Sequence, residues 1–226
     1  MNDTSLVIMA KKPIVGSTKT RLCPPLLPHQ ASALYEALLL DTIALGTELK
    51  GVDLAIAVTP YDSSDYFQTV APPEALLLPV KCPDIGSCLS QVLEKLIGKG
   101  YKKAFAINSD GPSLPPDYLH QAVHSLDDHD LVLGPSEDGG YYLVGVKRHQ
   151  PDVFIGITWS TSQVLSQTLS KASDLGLQVA LLPEWYDIDT WEDFVRLEAE
   201  LEHLPPDRLN YTRRFVERFS LKTRQP

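Results

Sequence analysis

The sequence predicts an α/β protein with a mostly parallel sheet. Short β-rich apolar runs alternate with longer segments whose apolar residues recur at helical spacing. Polar loops, several carrying glycine, fall directly after those runs, where open α/β sheets receive their ligands. In chain order, residues 5–10 form the first expected strand, and 28 to about 49 a helix with Ala31, Leu34, Tyr35, Leu38, Leu39 and Thr42 on one face. Strands follow at 52–59 and 75–80. Residues 88–97 read as a helix ended by Gly98 and Gly100, and 103–108 as a fourth strand. Beyond it come a helix over 115–126 and strands at 130–133 and 141–146 flanking a Gly-Gly turn. The last elements are a helix over 162–175, a strand at 177–182 and a helix over 190–201 with Thr190 as N-cap.

Composition narrows the function classes. The 226 residues are 43% hydrophobic and 22% charged, ordinary for a globular enzyme. A formal net charge of −9 argues against a duplex nucleic acid partner and against an anionic membrane surface. The first apolar run is too short for a signal-peptide core or a membrane span. Cys23, Cys82 and Cys88 have no metal-ligand spacing, and their odd number suits reduced thiols, so the expected compartment is the cytoplasm. One domain is expected over residues 1–204. Residues 205–226, with Arg208, Arg213, Arg214, Arg218, Lys222 and Arg224, read as a basic tail or amphipathic helix on the surface or at a subunit contact such as that of a homodimer.

Four loops after strands hold the candidate chemistry. The first, residues 11–22, places Lys11, Lys12, Lys19 and Arg21 beside Gly16 in an otherwise acidic chain. Backbone N–H groups and cations of this kind can receive phosphate, although a solvated basic loop has the same composition. The phosphate-loop pattern is excluded, because Pro13 and Thr18 stand where its two glycines belong. The dinucleotide pattern of three glycines is missing as well. In the second loop Asp110 follows the fourth strand, where a carboxylate can hold Mg²⁺ or Mn²⁺ against phosphates; Asp110 before Gly111-Pro112 can equally cap a turn. The third loop, 134–142, carries Glu137, Asp138, Gly139, Gly140 and Tyr141, as a simple hairpin or one that also binds an acceptor. The fourth brings Asp187 and Asp189 ahead of Thr190. Trp159, Ser160 and Thr161 mark a helix start whose N–H groups and hydroxyls could accept an anion.

Taken in order, Ala10-Lys11-Lys12-Pro13, Lys19-Thr20-Arg21-Leu22, Asp110-Gly111-Pro112, Gly134-Pro135 with Asp138-Gly139-Gly140-Tyr141, Trp159-Ser160-Thr161 and Asp187-Ile188-Asp189-Thr190 resemble a bacterial family of GT-A-type transferases often labelled glycosyltransferases and linked by name to arsenosugar biosynthesis. The set is also similar to the phospholactate guanylyltransferases, which share a basic first loop ending in Lys-x-Arg-Leu. The resemblance spans roughly residues 5–200. It implies a three-layer α/β/α, Rossmann-like nucleotide-diphospho-sugar transferase fold. It further implies a nucleotide or nucleotide-sugar donor, a small-molecule acceptor and a divalent metal. Asp110 becomes a metal ligand, with Asp187 or Asp189 as the second. Ala10, Lys11, Lys12, Gly16, Lys19, Arg21, Gly86 and Ser109 become nucleotide contacts, and Gly139, Gly140, Tyr141, Trp159, Ser160 and Thr161 acceptor contacts. Gly111 departs from relatives that carry an acidic or polar residue there, which weakens any scheme with two adjacent carboxylates on the metal.

Three functions share this scaffold. Nucleotidyl transfer needs cations around a triphosphate, which Lys11, Lys12, Lys19 and Arg21 supply, with Asp110 at the centre; charge placement tips the balance this way. Glycosyl transfer fits the family's customary label, and a hydroxyl acceptor there could use Asp138 or Glu137 as base. A non-catalytic nucleotide-binding domain would be expected to lose its metal ligands, and three aspartates speak against it.

Overall fold

The computed structural model describes residues 2–223, with side chains as far as 219. Arg224 of the basic tail lies outside the described residues, and Lys222 is described in its backbone alone. Seven strands form one sheet in the order β3-β2-β1-β4-β6-β5-β7. They are β1 (Thr4–Lys11), β2 (Val52–Thr59), β3 (Leu76–Pro79), β4 (Lys103–Ile107), β5 (Leu131–Pro135), β6 (Tyr141–Val146) and β7 (Val179–Leu181). β6 runs antiparallel to β4 and β5 and every other pairing is parallel, so the sheet is mostly parallel as the sequence predicts. The helices are α1 (Pro28–Glu48), α2 (Ser64–Val70), α3 (Ile85–Gly98), α4 (Pro116–Asp128), α5 (Val164–Asp174), α6 (Trp191–Leu201) and α7 (Asn210–Thr223).

The chain divides into two compact units. The first holds residues 1–12, 46–108 and 114–186, and with them the whole sheet. Alternation along the strands sends side chains to both faces, because successive Cβ atoms point opposite ways. Val7, Ala55, Ala57, Ala104, Ala106, Leu133 and Val144 share one buried cluster with Leu89, Val92, Leu93 and Leu96 of α3 and Ala172 of α5. Leu6 and Ile8 point the other way, where they and Leu54 lie against Gly46 in the last turns of α1. Burial on both faces explains why β1 reads as a near-continuous apolar run rather than an alternating one. The second unit holds residues 13–45, 109–113 and 187–226. Its interior includes Leu22, Leu34, Tyr35, Leu38, Phe194 and Leu197, and Phe194 meets the rings of Trp191, Phe215 and Phe219.

Element limits follow local chemistry. α3 begins three residues before the predicted start because the Asp84 carboxylate accepts from Ser87 N–H at 2.7 Å, an N-cap the apolar periodicity does not reveal. α6 begins as predicted, and Thr190 and Asp193 form a reciprocal capping box. α7 starts after Leu209, whose φ is +58°, and is capped from α1. The Asp41 carboxylate there accepts from Tyr211 N–H at 3.1 Å, Thr212 N–H at 2.8 Å and the Thr212 hydroxyl at 2.6 Å. Burial is the strongest influence on Asp41 and pushes its pKa up, against the opposing pull of those hydrogen bonds and of Arg208.

The expectation of three reduced thiols is corrected. Cys82 and Cys88 form a disulfide with Cα atoms 5.4 Å apart, which leaves Cys23 free. The chain folds back at Pro83-Asp84 into the first turn of α3, and this reversal, not the sequence spacing, brings the two sulfurs together. The cytoplasmic expectation therefore loses its cysteine argument. Among the described residues, no helix is long and apolar enough to cross a membrane.

Candidate functional site

The second unit gathers Lys19 and Arg21 of the first loop with two of the expected aspartates. After β1 the loop turns at Gly16, where φ is +81°, a value that L side chains rarely adopt. Ser17 and Thr18 N–H both donate to Ile14 C=O, and Ile14 N–H donates to the Thr18 hydroxyl. These N–H groups are therefore taken up inside the loop. An anion there would meet the side-chain cations rather than the backbone cradle considered from the sequence.

Lys19 follows in the left-handed region, with φ 51° and ψ 42°, ahead of a 3₁₀ turn at Thr20–Leu22. Its Nζ lies 2.6 Å from Asp110 Oδ2 and 2.6 Å from Asp189 Oδ1, one ammonium bridging two carboxylates. Only 6% of the Lys19 side chain is exposed, against 23% for Asp110 and 43% for Asp189. Burial alone would depress the Lys19 pKa. Asp110 and then Asp189 more than offset that, and hold the ammonium charged well above the ordinary lysine range. Arg21 Nη1 stands 3.9 Å from Asp189 Oδ2 with its side chain largely in solvent.

Three further contacts fix the loop that carries Asp110. Its C=O accepts from Ile188 N–H at 3.1 Å, which ties this loop to the segment carrying Asp187 and Asp189. The hydroxyls of Ser109 and Tyr35 share a buried hydrogen bond of 2.8 Å. Arg208 donates to Pro112 C=O at 3.1 Å. From the sequence, Tyr35 registers only as one more residue of an apolar helical face. The recoverable signal was its phenol, since a buried tyrosine hydroxyl needs a partner. Ser109, expected to touch nucleotide, has its hydroxyl engaged by Tyr35.

The donor set suits a hard divalent cation. Two carboxylates converge on a point already held by a positive charge, and Mg²⁺ sites commonly use one or two carboxylates completed by phosphate and water. Among the described residues, no three His, Cys, Asp or Glu side chains converge as a metal cage. The structure thus brings Asp110 and Asp189 together on Lys19, and half-buried Asp187 does not converge with them as a third carboxylate.

The first unit holds the remaining candidates. Lys11 and Lys12 are exposed at the end of β1, with Lys12 N–H bonded to Thr59 C=O, and the Ala10 side chain is buried in the sheet. The expected hairpin is present: β5 and β6 pair with a register shift at Gly134/Pro135, and Ser136 N–H donates to Gly140 C=O. Exposed Asp138 closes the turn by accepting from Gly140 N–H at 2.9 Å. Gly139 has φ +87°, and a Cβ there would stand 2.2 Å from Ser162 C=O, so the hairpin tip packs directly on the entry to α5. Leu165 N–H also donates to Gly139 C=O. Trp159 lays its indole on Gly86, where a Cβ would fall 2.2 Å from the ring, and meets Tyr141 edge-on at 6.3 Å between centroids. Gly86 is therefore required by this packing. Burial raises the pKa of the Tyr141 phenol. Ser160 adopts φ +63°, and the Thr161 hydroxyl accepts from Gln163 N–H at the start of α5.

Comparison with known proteins bears on the fold and the family. A protein of Desulfovibrio desulfuricans G20, described as a candidate nucleotide-diphospho-sugar transferase, superposes with a TM-score of 0.90 at 28% identity, covering 98% of this chain and 97% of that one. The chain shares the nucleotide-diphospho-sugar transferase fold. CMP:2-keto-3-deoxy-manno-octonic acid synthetase complexed with CTP matches at a TM-score of 0.52 and 13% identity, over 88% and 98% of the two chains. Rv0371c of Mycobacterium tuberculosis H37Rv complexed with manganese matches at 0.52 and 14%, over 86% and 97%. The sequence matches no curated protein. Residues 42–161, more than half of the chain and including Asp110 and Trp159, match the family described as "Uncharacterized protein conserved in bacteria (DUF2064)", and the chain belongs to that family.

Proposed function

We propose that this chain is a metal-dependent transferase using a nucleotide donor, and that it transfers a nucleotidyl group from a nucleoside triphosphate to a small phosphorylated acceptor. The observation that carries the reading is the convergence of Asp110 and Asp189 on Lys19, with Arg21 alongside. A bound divalent ion would neutralise charge on the phosphates and the departing pyrophosphate. Asp110 and Asp189 would hold that ion. Lys19 and Arg21 would offset the negative charge of the triphosphate, Lys19 as a buried point charge and Arg21 as an exposed fork. A phosphate acceptor is already an anion at neutral pH, so the reaction needs no general base. In the sheet-bearing unit, Gly139, Gly140 and Tyr141 with Trp159, Ser160 and Thr161 are the proposed acceptor contacts. Packing of Gly139 on the entry to α5 supports treating these segments as one element.

The relation to proteins of known ligand supports the same reading, since the synthetase of this fold binds CTP and the mycobacterial protein binds manganese. Glycosyl transfer is the second reading, favoured by the description of the Desulfovibrio protein, and Asp138 would be its candidate base. The two are separated by product. Purified protein with Mg²⁺ or Mn²⁺, a panel of nucleoside triphosphates and nucleotide sugars, and small phosphorylated or hydroxylated acceptors should release pyrophosphate in the first case. Nucleoside diphosphate would appear in the second. Asp110→Asn should remove turnover in either. Full activity in that variant would sink the assignment of the site.

A further inference from the structure

We propose that Lys19 is a built-in stand-in cation: it holds Asp110 and Asp189 together without metal and must withdraw before a divalent ion can take both carboxylates. The inference rests on the reading of these two aspartates as metal ligands and adds an order of events to it. Each carboxylate offers Lys19 Nζ an oxygen at 2.6 Å. A divalent ion bound by the same two oxygens at about 2.1 Å would fall within the space of the ammonium. Like charges at that separation repel strongly in a partly buried setting, so the two cations exclude one another.

Charge gives the same answer. Two carboxylates and one ammonium leave a single negative charge, which Arg21 at 3.9 Å from Asp189 offsets further, a weak lure for a divalent ion; without the ammonium the site is one charge more negative. The residue type suits a movable cation. Lysine carries a compact charge on a four-carbon flexible stem, whereas arginine would lock a planar fork onto the carboxylates. The left-handed backbone at Lys19 sets where the stem begins, and rotation along the stem can carry Nζ away while the backbone stays in place. A polyphosphate is the natural destination for the released ammonium. Metal and polyanionic donor should therefore bind as coupled partners, with Lys19 passing from carboxylate to phosphate.

Two measurements on the full-length protein test this, and both use the metal alone. In the first, Mn²⁺ binding is followed by the loss of the free-ion electron paramagnetic signal. Lys19→Met should bind Mn²⁺ about tenfold more tightly than wild type, within the usual span of coupling between sites. Equal or weaker binding by the variant would overturn the inference. The second needs no substitution, and so stands if the variant folds poorly. Lys19 of the wild type should resist amine acylation without metal and become several-fold more reactive at saturating Mn²⁺, read by peptide mass spectrometry. Unchanged labelling of a metal-saturated protein would also overturn it. Tight Mn²⁺ binding with equal affinities removes this inference and leaves the proposed metal site standing; no Mn²⁺ binding by either protein removes both.

Discussion

Removing Asp41 tests a polar tie between α1 and α7. Its carboxylate accepts three hydrogen bonds at the start of α7, two from backbone N–H groups and one from the Thr212 hydroxyl. Thr212 is fully buried, so Asp41→Ala would strand its N–H and hydroxyl away from water. Loss of an N-cap costs about 1 kcal/mol, and each buried donor left without a partner about 1–3 kcal/mol. Relief of the burial penalty on an ionised carboxylate offsets part of this, so the expected loss is about 2 kcal/mol. Urea denaturation at neutral pH measures the loss, and hydrogen exchange at the Tyr211 and Thr212 amides locates it. The pH dependence has a definite sign. Because the folded-state pKa of Asp41 is raised, its contribution is fully present below the unfolded pKa and is lost as pH rises through the folded value. The gap between wild type and Asp41→Asn, which cannot titrate, should narrow over that rise. A loss below about 0.5 kcal/mol in Asp41→Ala, the range of ordinary surface substitutions, would refute the reasoning.

Further substitutions probe other local arguments. Thr190→Ala breaks the capping box of α6 and should lower stability by about 1 kcal/mol in the same urea assay. Gly139→Ala places a Cβ against Ser162 C=O at a positive φ; it should cost roughly 2 kcal/mol and loosen exchange protection at Leu165, whereas a neutral outcome would remove the packing account of that glycine. Reducing the Cys82–Cys88 bridge should destabilise the protein by about 2 kcal/mol, the loop-closure value for so short a ring. Cys82→Ser in the absence of reductant should reproduce that loss.

Elements with a strong apolar period were legible in the sequence. β2 and β6 fall at their expected limits because both are bounded by residues that break a ladder: Gly51 and Pro60 around one, the Gly139-Gly140 turn before the other. α2 was missed because only Phe67 is buried in its seven residues, too few for a period to show. The start of α3 was missed for a similar reason, as Asp84 caps it ahead of any apolar residue of the stripe. At the site, Asp110, Lys19, Arg21 and Asp189 were legible by position and charge type. Their geometry was not. The bridge of one ammonium to two carboxylates depends on residues 91 and 170 positions away, and no local pattern encodes such a meeting. The Tyr35–Ser109 bond and the disulfide were hidden in the same way, by chain reversals that bring polar atoms together after folding.

The long reach of Lys19 bears on how the chain matures during synthesis. A ribosome delivers Lys19 first, 91 residues before Asp110 and 170 before Asp189, so a nascent chain carries the cation long before its second counterion exists. Domains generally fold as units while the chain emerges, and contacts distant in sequence are slow to form. β1, β2 and β4 can pair once residue 107 is out, but the ammonium meets its second carboxylate only when Asp189 has been translated. A polypeptide released at, say, residue 180 would possess most of the sheet but lack Asp189, leaving Lys19 with Asp110 as its one partner of the pair.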